Sequence, residues 1–110
     1  MILRMVTFTL AGIDDDQYRH HAARVADGFA EWDGLTAKLW LHDPRAGVYG
    51  GAYLFADQAS ADASRTTDLF RAMAGNAAFA ELSVREYEVI EPLTAITAPA
   101  GLMLPGSHRT

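Results

Sequence analysis

The stretch from Gly34 to Asp57, GLTAKLWLHDPRAGVYGGAYLFAD, constrains the fold more than any other part of the chain. From Leu35 to His42 the residues alternate, so Leu35, Ala37, Leu39 and Leu41 point one way and Thr36, Lys38, Trp40 and His42 the other. Asp43-Pro44-Arg45-Ala46-Gly47 is turn chemistry, because proline presets φ and glycine accepts a positive φ. Val48 to Phe55 is rich in β-branched and aromatic residues, which suit a half-buried pleated surface. The pattern predicts a long β-hairpin. Gly50-Gly51 interrupts its second arm, and glycine inside a strand marks a bulge or a place where a backbone or ligand comes close. Neither arm is stable alone, so the remaining chain must cover one face and partner the edges.

Ile2 to Leu10 reads as a strand from its Val, Thr, Phe and Ile content, and Gly12 ends it. Asp14, Asp15 and Asp16 suit a helix start, where carboxylates cap free N–H groups and meet the positive end of the dipole. Tyr18, Ala22, Val25, Phe29 and Trp32 then form one apolar stripe, opposite a solvated stripe of Asp16, His20, Arg24, Asp27 and Glu31. Gly34 stops that helix. Asp57 is an N-cap for a second helix to about Ala74, with Ala59, Ala63, Thr67 and Phe70 as its inner stripe. After Gly75-Asn76, a short turn is expected around Phe79, then a fourth strand over Leu82–Ile90, ended by Pro92. The order βαββαβ predicts a ferredoxin-like α+β fold, a four-stranded antiparallel sheet with two helices on one face. Its other face stays bare, carrying either the Lys38, Trp40 and His42 row or the leucine row. A bare apolar face predicts sheet-to-sheet homodimerisation. Residues 1–97 make the domain, and 98–110 a tail in which Leu102-Met103-Leu104 is expected to dock, on the partner subunit by preference.

Composition narrows the function. A chain of 110 residues is one domain, and half of it is hydrophobic, which is marginal for a monomer of this size. A net charge of −5 with a single lysine argues against nucleic acid. No apolar run approaches a membrane span and no leader pattern opens the chain, so a cytoplasmic protein is expected. With no cysteine there is no disulfide, thiolate nucleophile or thiolate metal site. GxGxxG, P-loop and CxxC patterns are absent. His20 and His21 are adjacent on a helix, about 100° apart, and cannot chelate one ion together. Asp16 and His20 have the right spacing, but on the solvated stripe, where surface pairing explains them. Neither metal nor cofactor is expected.

Several motifs resemble one known family. Gly34, Lys38 and Trp40, the run Gly50-Gly51-x-Tyr53-Leu54-Phe55, Ser60-Ala61, and Glu91-Pro92-Leu93 are together similar to the YdhR-like monooxygenases, over residues 34 to 95. These belong to the dimeric α/β-barrel group that includes the antibiotic-biosynthesis monooxygenases. The resemblance implies a homodimeric α/β barrel and an oxygenase activity. Relatives often carry a histidine in the second helix where this chain has Asp68.

The residues themselves suggest a small apolar pocket with a few polar tips. That suffices for cofactor-independent oxygenation of a small aromatic or polyketide-like phenol or enol, which supplies its own electrons once deprotonated. Trp40, Tyr49, Tyr53 and Trp32 are the candidate walls for a flat ring. His42 is the candidate base, and Lys38 or Arg85 would hold a developing oxyanion. Structural readings compete: Trp40 as interface or core, Lys38 as an ion pair with Glu86 or Glu88, and Tyr53 as a satisfied core hydroxyl. A cyclase, isomerase or decarboxylase could use the same pocket, and a non-enzymatic binding or stress-related dimer would need only the interface.

Overall fold

The computed structural model describes residues 1–98, so the expected docking of Leu102-Met103-Leu104 lies outside the described residues. Eight elements follow in order: β1 (Ile2–Leu10), α1 (Asp15–Ala30), β2 (Leu35–Asp43), β3 (Val48–Phe55), α2 (Gln58–Ser64), α3 (Asp68–Ala74), β4 (Phe79–Glu88) and α4 (Glu91–Thr97). The strands form one antiparallel sheet ordered β2-β3-β1-β4. This is the ferredoxin-like arrangement, with α1, α2 and α3 on one face. No helix is long and apolar enough to cross a membrane among the described residues.

Local chemistry explains the boundaries. Asp14 and Gln17 close a capping box at the start of α1, and Asp57 accepts the Ser60 N–H at the start of α2. At the hairpin tip the Asp43 carboxylate accepts the Arg45 and Ala46 N–H groups, and Gly47 sits at φ 68°. Gly34 takes φ 77°, and a side chain there would run into Ser60. This contact accounts for two of the motif residues at once.

The core lies between the sheet and the helices. Ile2, Val6 and Phe8 of β1 face it, beside Tyr49, Tyr53 and Phe55 of β3, with Tyr18 and Phe29 of α1, Ala61 of α2, and Phe70 and Met73 of α3. Arg4 shares that face, fully buried. It donates to Glu86 (2.8 Å), the Ser64 hydroxyl (2.9 Å) and the Ala61 carbonyl (2.8 Å), and so fastens α2 to the sheet. Its guanidinium lies 4.7 Å from the centre of the Phe55 ring. The opposite sheet face carries Leu39, Leu41 and Tyr87; Leu39 is 57% and Tyr87 51% exposed. The leucine row is therefore the bare one.

Four expectations need correcting. Leu35 pairs with Phe55 and packs on the core, because a register shift between Leu35 and Ala37 breaks the alternation before it begins. The second helix is two helices: the hydroxyls of Ser64, Thr66 and Thr67 bond back to the carbonyls of Ala61, Ala63 and Ser64, and Thr67 then caps α3. Its buried residues are Ala61, Ser64, Phe70 and Met73, whereas Ala59 and Ala63 are exposed. The fourth strand starts at Phe79 rather than Leu82, with the β1–β4 register shifting between Thr7 and Thr9 and Glu81 at φ 56°. Finally, Pro92 opens a helix in its first turn, where its missing N–H costs nothing.

Candidate functional site

Between the sheet and helices α1 and α3 lies a cavity of about 90 Å³. Phe29, Val25, Ala22, His21 and Tyr18 of α1 form its roof with Leu69, Ala72 and Met73 of α3. Phe8, Phe79 and Tyr53 form its floor, and Lys38 and Trp40 of the edge strand β2 its side. Outside it, two shallower grooves of about 350 and 310 Å³ run along the gap between α1 and β2. The gap exists because α1 faces β2 with small residues, Ala22, Ala23, Ala26 and Ala30, which cannot reach across. Trp40 borders the cavity and both grooves, and is 42% exposed.

Lys38 is the most unusual residue here. Its Nζ lies 3.4 Å from the centre of the Phe29 ring, 3.5 Å from that of Trp40 and 4.6 Å from that of Tyr53. Among the described residues it forms no ion pair. The expected pairing with Glu86 or Glu88 is ruled out by topology, since β2 and β4 are opposite edges of the sheet and Glu86 is held by Arg4 and Arg65. Burial without a counter-charge draws the amine down to about 7. The ring faces attract the ammonium form and partly oppose this. Lys38 is thus far easier to deprotonate than a surface lysine. Gly51 makes room for it: a Cβ there would stand 3.0 Å from Lys38 Cε and 3.2 Å from the Leu39 carbonyl oxygen. Gly50 has a different reason, because its Cβ would meet the Val6 carbonyl oxygen of the neighbouring strand.

The other expected site residues divide into three groups. Tyr53 joins Lys38 and Trp40 in the cavity wall; its hydroxyl donates to Met73 Sδ at 3.6 Å, and burial pushes the phenol up. His42 and Tyr49 stand together beyond Trp40, at the end of one groove, their rings stacked at 4.2 Å. There the Tyr49 hydroxyl donates to Asp15 at 2.5 Å, Arg19 Nε donates to the same carboxylate at 2.8 Å, and Arg19 Nη2 lies 3.3 Å from His42 Nδ1. The two hydrogen bonds hold the Asp15 carboxyl below its usual range, Tyr49 foremost, and the bond to Asp15 raises the Tyr49 phenol. Trp32 and Arg85 do not join the site. Trp32 follows α1 and stacks behind Tyr53 and Phe55 as a backing layer. Arg85 pairs across from Met5 on the outer face, because Val84 and Glu86 face inward beside Val6 and Arg4.

Sequence reasoning assigned Tyr18 and Phe29 to a core stripe and gave His21 no place in a pocket. The stripe is also the cavity roof, so the signal was present but carried two meanings. His21 stands one residue before Ala22 of that stripe, which is the mark that could have found it. Asp68 is fully exposed at the start of α3, and its neighbour Leu69 meets the cavity instead. No cluster of three or more potential metal ligands occurs among the described residues.

Residues 3–100 match the family described as "Putative mono-oxygenase ydhR". No curated protein matches the chain in sequence. Among solved structures it is similar to a "putative antibiotic biosynthesis monooxygenase" from Deinococcus radiodurans (TM-score 0.70, 15% identity, covering 83% of this chain and 94% of that one). It is similar also to SnoaB, a cofactor-independent oxygenase from Streptomyces nogalater (TM-score 0.68, 15% identity, 82% and 93% covered). A third is the heme-degrader MhuD from Mycobacterium tuberculosis, with two hemes bound in its active site (TM-score 0.66, 15% identity, 82% and 96% covered). At these identities the likeness establishes a shared fold.

Proposed function

The chain belongs to the ydhR mono-oxygenase family, and on that footing we propose that it is a cofactor-independent monooxygenase of small aromatic or polyketide-like substrates, with Lys38 as its base. The observation that supports this most is the amine of Lys38 in a ring-lined cavity, without an ion-pair partner among the described residues. In its neutral form the amine takes the proton of a phenol or enol. The resulting ammonium lies beside the new oxyanion in a place poor in water, where opposite charges attract strongly. The substrate anion then supplies the electrons for oxygen. The activated C–H carbon becomes C=O, one oxygen atom is retained, and the other leaves as water with that hydrogen and the proton returned by Lys38. The reaction is balanced without a reductant or metal.

The size of the cavity sets the pose. A volume of about 90 Å³ admits the reacting edge of a ring, and the body of a larger substrate would lie along α1, over Trp40. His42 and Tyr49 would then meet its far end, which moves His42 from base to distal contact. We propose also that the leucine face of the sheet closes a homodimer, because Leu39, Leu41 and Tyr87 form an exposed apolar surface there.

Oxygen uptake with a panel of polycyclic phenols tests the activity. One O₂ consumed per quinone formed is expected, with uptake abolished in Lys38→Met. Uptake that survives this substitution would overturn the role of Lys38. Turnover under nitrogen would assign a cyclase, isomerase or decarboxylase instead, and binding without turnover a carrier.

A further inference from the structure

We propose that Lys38 captures neutral aldehydes and ketones covalently, as an imine within the aromatic cavity. This goes beyond the oxygenase reading and does not depend on it, since imine formation needs no oxygen. Four observations converge. Nζ is enclosed by the rings of Phe29, Trp40 and Tyr53, so the nucleophile is held in place rather than swinging through solvent. No carboxylate holds it as a salt bridge among the described residues. A cavity adjoins it, and Trp40 borders both that cavity and two open grooves, so a carbonyl compound has both a destination and a route. Burial raises the neutral, reactive fraction of the amine well above that of a surface lysine.

The chemistry uses groups already in place. The Nζ lone pair forms a bond to the carbonyl carbon while the C=O π pair moves to oxygen, giving a carbinolamine after proton transfer from nitrogen. The C–O bond then breaks, water leaves, and the C=N bond forms; one carbonyl and one amine give one imine and one water. Tyr53 is the neighbouring hydroxyl, kept protonated by burial and held only by a thioether, a weak acceptor, so it is free to donate to the departing oxygen. Among the described residues the lining carries no lysine or arginine besides Lys38, so an apolar carbonyl fits better than a keto acid. Scarcity of water slows hydrolysis of the product.

The chain offers an unusually clean test, because Lys38 is its single lysine. The one other amine is that of Met1, which pairs with Glu91 at 2.6 Å. The protein is incubated under nitrogen at neutral pH with benzaldehyde and cyanoborohydride, which reduces an imine to a stable secondary amine, and the adduct is located by peptide mass mapping. One benzyl group on Lys38 is expected, forming at least about tenfold faster than on the lysine of a short unfolded peptide, given the larger neutral fraction. Trp40→Ala, which opens the cavity to water and removes one ring, should slow the labelling of Lys38 toward the peptide rate. Modification confined to Met1, or a Lys38 rate equal to that of the peptide, would overturn the proposal. Working under nitrogen separates the two readings: oxygen uptake without an adduct retains the first and sinks the second, and an adduct without oxygenase activity does the reverse.

Discussion

At the scale of single residues, the half-buried Lys38 and the fully buried Arg4 behave oppositely. Among the described residues Lys38 has no counter-charge, and desolvation lowers its affinity for a proton from the ordinary 10.5 to about 7. Between those values the unfolded chain binds more protons than the folded one, so the contribution of Lys38 to stability rises with pH and is least favourable below about 7. Replacing it with the apolar, similarly shaped methionine should raise the melting temperature near pH 7, by roughly 4–8 °C for each kcal/mol recovered. The gain should shrink as the pH is raised toward about 9. Thermal melts of both proteins across that range would show it; a gap that does not change with pH would mean that Lys38 does not titrate there. Arg4 is buried with each of its three guanidinium nitrogens engaged, to Glu86, Ser64 and Ala61. Arg4→Met removes all three bonds at once, leaving the Ser64 hydroxyl and the Ala61 carbonyl only each other and Glu86 without its buried partner, and should cost ~3–5 kcal/mol in urea unfolding. A loss under ~1 kcal/mol would show that its bonds to α2 do little.

At the scale of elements, the break between α2 and α3 depends on Thr67, whose hydroxyl accepts the Phe70 N–H at 3.2 Å while donating to the Ser64 carbonyl at 2.7 Å. Thr67→Ala should lose about 1 kcal/mol of stability, and Thr67→Ser should lose much less. Equal losses in the two variants would assign the effect to the methyl group instead. The same stretch shows how far the sequence could be read. The hairpin, the caps at Asp14 and Asp57, and β1 are each written in a few neighbouring residues, and the sequence specifies them well. The α2–α3 break is not, because hydroxyls that bend a helix in one context sit harmlessly on its surface in another. The early start of β4 depends on an irregular register against β1, a partner distant in sequence. The site follows the same division. Period-two spacing put Lys38, Trp40 and His42 on one side of β2, but a strand alone does not say which side the helices cover. Arg85 was misplaced for that reason, since its face is set by the pairing of Val84 with Val6. Trp32 was misplaced because it continues the apolar stripe just beyond the end of α1, where it turns behind the cavity rather than into it.

For the whole molecule, the question is what covers the face opposite the helices. Leu39, Leu41 and Tyr87 lie on it, and Ile90, Leu93 and Ile96 are exposed on and just before α4. Each large side chain moved out of water contributes ~1.5–3 kcal/mol, which favours association. Sedimentation at micromolar concentration should give about twice the chain mass. Leu39→Asp with Leu41→Asp should reduce that to one chain while leaving the helix-side core folded, whereas a monomeric parent protein would end the dimer proposal. The strand order has a further consequence, for timing. β1 is held by a ladder on each flank, whereas β2 is held by one, along β3. One side of the cavity, Lys38 and Trp40, is therefore mounted on a strand that opens by losing a single ladder, and that opening should set how quickly a bulky molecule reaches Lys38. In deuterated solvent the β2 amides should exchange well before those of β1. A molecule lodged against Trp40 should slow β2 alone, so that the protein's own clock reports occupancy before any product forms.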